Sequence, residues 1–194
     1  MPRPTQEGKI LEAALKCFAE KGYEATTIRI IAHEAGVTEG AIYRHYPSKE
    51  AVAQSIFSYH LGQVADRLQE IAGSGQEVKE RLQQIVTALL AQYRADPSAT
   101  TFVLLRQHNF MPELPPGFRY PLEIIESIIK EGQTGQTIRD GQPNLLAAIF
   151  LGCILRPIIL SQLASHGAFE LLTETKHDQI IIESAWNAIR SQKE

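Results

Sequence analysis

Apolar residues recur along almost the whole chain at the three- and four-residue spacing of a helix. In the first stretch Ile10, Leu11, Ala14, Leu15 and Phe18 form one stripe. Thr5 stands where a cap would start that helix, and Gly22 follows Lys21 as its stop. Thr26 and Thr27 offer caps for a short second helix with Ile28, Ile31, Ala32 and Ala35 inward. Gly36 ends it in a tight turn, and Val37 plugs the gap between helices. Thr38 caps a third, very short helix with Ile42 inward, and Pro47 stops it. Ser48 starts a long fourth helix with Val52, Ile56, Val64, Leu68 and Ile71, and Gly73-Ser74-Gly75 breaks it.

Further helices follow. One is predicted from about Glu77 to Tyr93. Asp96-Pro97, a cap and a first-turn proline, opens another to about His108. Asn109 to Gly117 holds three prolines and is a loop. A helix from about Phe118 to Glu131 precedes a second loop, Gly132 to Gln142, with three glycines. Pro143 opens a long apolar helix to about Ala164, and a last helix covers about Lys176 to Ser191. β-branched runs such as Ile180-Ile181-Ile182 are flanked by helical spacing, so they stay helical. The pattern predicts an all-α protein of two units, residues 1–50 and 51–194.

Composition narrows the class. At 44% apolar and 21% charged the 194 residues suit a globular protein. No uninterrupted apolar run is expected to span a bilayer, because Arg156 and Pro157 interrupt the best candidate, Leu145 to Leu160. The first residues lead straight into an amphipathic pattern rather than a signal peptide. Cys17 and Cys153 sit in apolar helical patterns and read as small buried hydrophobes, not as a disulfide or metal site. A cytoplasmic protein is expected. The net charge of −3 does not advertise nucleic-acid binding. Residues 1–58 hold seven Lys/Arg and seven Asp/Glu, so the deficit lies in the remainder. Any DNA contact must rest on where charges stand, not on bulk basicity.

The informative segment is Thr27 to Tyr46. A helix, a glycine turn and a second short helix make a helix-turn-helix. Ala32 and Ala35 are small enough for close helix crossing, Gly36 tolerates a left-handed turn, and Val37 and Ile42 lock the second helix to the first. The outward face of that second helix then fits a major groove. Tyr46 suits the core, which leaves Tyr43 for a phosphate. Thr38 either only caps its helix or, in capping it, also presents backbone N–H groups to a phosphate. Arg29 and Arg44 are the long donors facing the groove; each can bond guanine or hold a phosphate. Glu39 can accept from cytosine or simply favour the helix start. Gly40 and Ala41 keep the backbone near the groove, where Ala41 can touch a thymine methyl.

This segment resembles the TetR family of regulators. Thr27-Ile28, Ile31-Ala32, Ala35-Gly36-Val37-Thr38, Gly40, Ile42-Tyr43, His45-Tyr46 and Ser48-Lys49-Glu50 stand where that family's motif has them. Phe18-Ala19-Glu20-Lys21-Gly22-Tyr23 and Thr26 fit upstream, so the match covers about residues 8–57. The resemblance implies a three-helix DNA-binding domain, a variable helical ligand domain and a two-fold dimer. It implies that His45 and Lys49 grip the DNA backbone; a surface histidine and a solvated lysine are the alternatives. The DNA-facing set becomes Thr27, Arg29, Thr38, Glu39, Gly40, Ala41, Tyr43, Arg44, His45 and Lys49. It further implies that the last two helices pair with their copies through Leu151, Leu155, Ile159, Ile182, Trp186 and Ile189; internal core is the alternative.

Residues 59–194 carry no catalytic motif, phosphate loop or His/Cys pair at metal spacing, so no cofactor, metal or enzyme is expected. Arg106, His108, Arg119 and Arg156 are candidates to orient an acidic effector. Arg156 interrupts an apolar helix beside Pro157, which fits a kinked pocket wall and equally a surface bend. Composition suggests an apolar or aromatic effector. The expected function is a ligand-responsive regulator, a repressor released from palindromic operator DNA by a small molecule. The rival is a helical ligand-binding or enzymatic protein that keeps the fold without binding DNA, a reading the neutral N-terminal segment favours.

Overall fold

Three threonine caps define the first helices. Thr5 accepts from the Gly8 amide at 3.1 Å and opens α1, Gln6–Lys21. Thr27 accepts from Ile30 at 3.3 Å and opens α2, Ile28–Ala35. Thr38 accepts from Ala41 at 3.2 Å and opens α3, Glu39–Tyr43. Gly36 ends α2 in the left-handed region at φ 66°, and the Val37 amide reaches back to the Ala32 carbonyl at 3.0 Å. Thr26 is not a cap. It is fully buried, and its hydroxyl donates to the carbonyls of Cys17 and Gly22, tying the end of α1 to the start of α2.

The computed structural model describes residues 5–110, 114, 117–163, 172 and 174–192, and of 105–110 and 162–163 the backbone alone. The remaining helices are α4, Lys49–Ala72; α5, Val78–Ala95; α6, Pro97–Phe110; α7, Pro121–Thr134; α8, Pro143–Leu163; and α9, Asp178–Ile189. Among the described residues the only β pairing is an isolated bridge between Ile138 and Arg190. The protein is all-α. It divides into two compact units: Met1–Leu61 with Ser98–Pro115, and Gly62–Pro97 with Pro116–Glu194. In the first, Ile10, Ala14, Phe18, Ile31, Ile42, Val52, Ile56 and Phe57 are buried. In the second, α7 packs on α8, α8 on α9, and α9 on α5.

Two sequence expectations need correction. The predicted stop at Gly132 lies inside α7, which starts at Pro121 and runs to Thr134. Gly132 is there because nothing larger fits: a Cβ would lie 2.6 Å from Ile138 Cδ1 and 2.9 Å from Val78 Cγ1. Gly132→Ala is therefore expected to destabilise by about 1–3 kcal/mol through overpacking, read as a lower urea midpoint at unchanged slope. The interruption expected in the long apolar stretch does not materialise either. Helix α8 continues through Pro157, and its Pro143–Ser161 window is long and apolar enough to cross a membrane by length and composition. One arginine in 19 residues is too small a dilution. Only 28% of that window is buried within the chain.

Candidate DNA-binding face

Helix α3 has two faces. Ala41 and Ile42 point inward, at 4% and 0% exposure, and hold the helix to the body of the first unit. Glu39, Gly40, Tyr43 and Arg44 fall on the other side and are exposed, Tyr43 at 52%. This inward placement corrects the expectation for Ala41: its methyl is used in the core and does not face a base edge. Thr27, Arg29 and Thr38 are exposed around the same helix-turn-helix, and so is His45 just past the end of α3. A Cβ on Gly40 would meet nothing closer than the Thr38 hydroxyl at 4.0 Å. The glycine leaves the outward surface low where a groove would approach.

The neighbouring ties hold this face in register. Tyr46 is buried, and its hydroxyl donates to Glu7 at 2.9 Å, linking the corner after α3 to the start of α1. Burial, and then the Glu7 carboxylate, push the Tyr46 phenol up, against a hydrogen bond from Ser55 that lowers it. Lys16 and Glu34 pair at 2.5 Å between α1 and α2. The bond raises the lysine and lowers the carboxylate.

Lys49 is not a solvated lysine. Its ammonium donates to the Tyr23 carbonyl at 2.8 Å and sits 4.3 Å from the centre of the Tyr23 ring. Tyr23 lies 26 residues upstream, and no local pattern marks it as a partner.

Of the four effector candidates the described residues place the side chains of Arg119 and Arg156. Arg119 is exposed and donates to Gln69 at 2.8 Å. Arg156 is exposed on α8. The side chains of Arg106 and His108 lie outside the described residues. A shallow groove of about 470 Å³ between α5 and α9 is lined by Gln76, Glu80, Gln83, Thr87 and Gln179, among others, and by neither Arg119 nor Arg156. On the dimer candidates the second unit divides as follows. Leu151, Leu155, Ile159, Ile182 and Trp186 are half-buried, whereas Ile189 is fully buried in the chain's own core and has no surface to offer.

The family described as bacterial regulatory proteins, tetR family, matches residues 10–56. The chain is 30% identical over 146 residues to a fatty acid metabolism regulator protein of Bacillus subtilis, covering 72% of this chain and 74% of that one. The chain belongs to the tetR family. A further relative, the HTH-type transcriptional regulator YerO of Bacillus subtilis, is 35% identical over 107 residues, which is 54% of this chain but only 36% of YerO. The fold of this tetR-family regulator is shared by the regulator FadR of Bacillus subtilis, solved in complex with stearoyl-CoA. That match has a TM-score of 0.75 at 23% identity over 93% of this chain and 98% of the other.

Proposed function

We propose that this transcriptional regulator is a repressor that binds palindromic operator DNA as a homodimer and is released by a small acidic effector. The observation that carries it is the two-faced α3. Ala41 and Ile42 fix the helix while Glu39, Tyr43 and Arg44 project into solvent beside Thr38 and His45. Arg29, Arg44 and Glu39 are the side chains available to base edges. Tyr43, His45, Lys49, Thr27 and Thr38 serve the phosphates, and Gly40 admits the backbone. The dimer is supported by the largely uncovered apolar surface of α8. Helix α4 begins at Lys49 and runs unbroken for 24 residues, which suits it to carry a change of shape toward the DNA contact. That lever fails if pocket-filling substitutions change effector binding but leave operator affinity unaltered in every effector state.

Long-chain acyl-coenzyme A is the effector class we favour, on the names of the fatty acid relative and of the FadR complex. Arginines 106, 119 and 156 and His108 are the candidates to meet its phosphates. The test is operator binding, to the DNA upstream of its own gene, by fluorescence anisotropy across a salt series. Lys49→Ala is expected to weaken binding and flatten the log–log salt dependence by about two units, because each subunit of the dimer then neutralises one phosphate fewer. Tyr43→Ala, which removes a neutral donor, weakens binding with the slope kept. Stearoyl-CoA releases the complex and coenzyme A alone does not. Absence of any specific shift at every salt concentration would instead favour a helical protein that has kept the fold and lost the DNA.

A further inference from the structure

We propose that Tyr23 is a positioning residue for Lys49, and that the stacked rings of Phe18 and Phe102 brace it. The proposal rests on the reading that Lys49 grips a phosphate. Four side chains from separate elements of the first unit meet in a row. Phe102 of α6 stacks on Phe18 of α1, with centroids 5.5 Å apart and planes 10° from parallel. Phe18 meets the Tyr23 ring at 5.2 Å, tilted by 49°. Tyr23 receives the Lys49 ammonium over its ring at 4.3 Å and on its carbonyl at 2.8 Å. Phe18 and Phe102 are 5% and 8% exposed, so the inner end of the row is fixed by packing.

The chemistry favours presentation over sequestration. An ammonium carries three donors, and the Tyr23 carbonyl takes one. The ring face attracts the charge without consuming a proton. The remaining donors stay available to a phosphate, while the four-carbon stem is already confined before DNA arrives. A flexible lysine otherwise loses its rotamer freedom on binding, and confinement in the free protein removes that loss. The row also gives α6 a physical route to the phosphate contact, since displacing Phe102 would unseat Phe18 and then Tyr23.

The test is a double-mutant cycle on operator affinity, using the same upstream DNA. Tyr23→Leu keeps the carbonyl and removes the ring. It is expected to weaken binding of the dimer roughly five- to thirty-fold, because the lysine of each subunit regains rotamer freedom that it must then lose on the DNA, with the salt slope unchanged. Tyr23→Phe restores wild-type affinity. In a Lys49→Ala background Tyr23→Leu adds nothing. Additive effects would overturn the positioning role while leaving the phosphate contact intact. An unaltered salt slope in Lys49→Ala would overturn the phosphate contact instead. A second measurement needs no DNA. In the unmodified protein the Lys49 side-chain protons nearest the ammonium should resonate upfield, shifted by the Tyr23 ring, and Phe102→Leu should return them toward the ordinary position. Unshifted protons in the unmodified protein overturn the positioning of Lys49 by the Tyr23 ring, and indifference to Phe102→Leu overturns the brace.

Discussion

Gly152→Arg is expected to convert the proposed homodimer to monomers and to lower operator affinity at least about 100-fold, while leaving each subunit folded. The expectation comes from what surrounds Gly152 in a single chain. The residue is exposed, and a Cβ there would meet nothing within 4 Å. The subunit's own packing therefore gives no reason for a glycine in the middle of a 21-residue helix, where it costs about 1 kcal/mol against alanine. Leu145, Ala148, Gly152 and Arg156 form the exposed stripe of α8, flanked by half-buried Ile149, Leu151, Leu155 and Ile159. Ile180 on α9 is 62% exposed and Leu145 57%. A small residue at the centre of an apolar face suits close approach of a second copy, and an arginine there would crowd against Arg156 and its mate with like charge. The fall in affinity follows from avidity: two half-sites held by one dimer gain about 10²–10⁴ over either alone. Sedimentation equilibrium and operator titration read the two effects, and urea unfolding reads the third. A dimer that survives the substitution moves the two-fold axis away from α8.

How much of this was legible in the sequence follows the range of the interactions. The caps at Thr5, Thr27 and Thr38 and the turn at Gly36 each depend on residues three or four positions away, so their spacing announces them. The helix-turn-helix and its family register are likewise written in consecutive residues. Ala41 was misplaced because a five-residue helix gives too little periodicity to separate inward from outward, and tertiary packing decided it. Gly132 reads as a helix stop, yet the residues that demand its size, Val78 and Ile138, stand 54 positions before it and six after. Ile189 looked like interface because apolarity does not say which surface a residue faces. The Tyr23–Lys49 contact is invisible for the same reason, since its partners meet only once α1 and α4 have packed.

Arg81 supplies the sharpest case, because its role is the reverse of what its charge suggests. It stands on α5 with side-chain exposure of 6%, and it donates to the Ala72 carbonyl at the end of α4 at 3.0 Å and to Glu131 on α7. Glu131 is 59% exposed. The Arg81 Nε has no hydrogen-bond partner. Guanidinium does not lose its proton in a protein, so burial cannot be relieved by neutralisation. Removing the exposed partner should therefore harm the fold more than removing the buried one. Glu131→Ala strands a buried cation with a single carbonyl and is expected to cost about 2–3 kcal/mol, below the range for pairs buried on both sides because solvent already reaches Glu131. Arg81→Met deletes the charge and fills its space. It returns Glu131 to water and leaves only the Ala72 carbonyl short of a donor, a loss of about 1 kcal/mol. The double substitution should then be more stable than Glu131→Ala alone, which no additive scheme allows. Urea unfolding of the four proteins decides it. If Arg81→Met were the more damaging single change, the guanidinium would be holding the end of α4 by its shape and its bond to Ala72, and the carboxylate would be incidental.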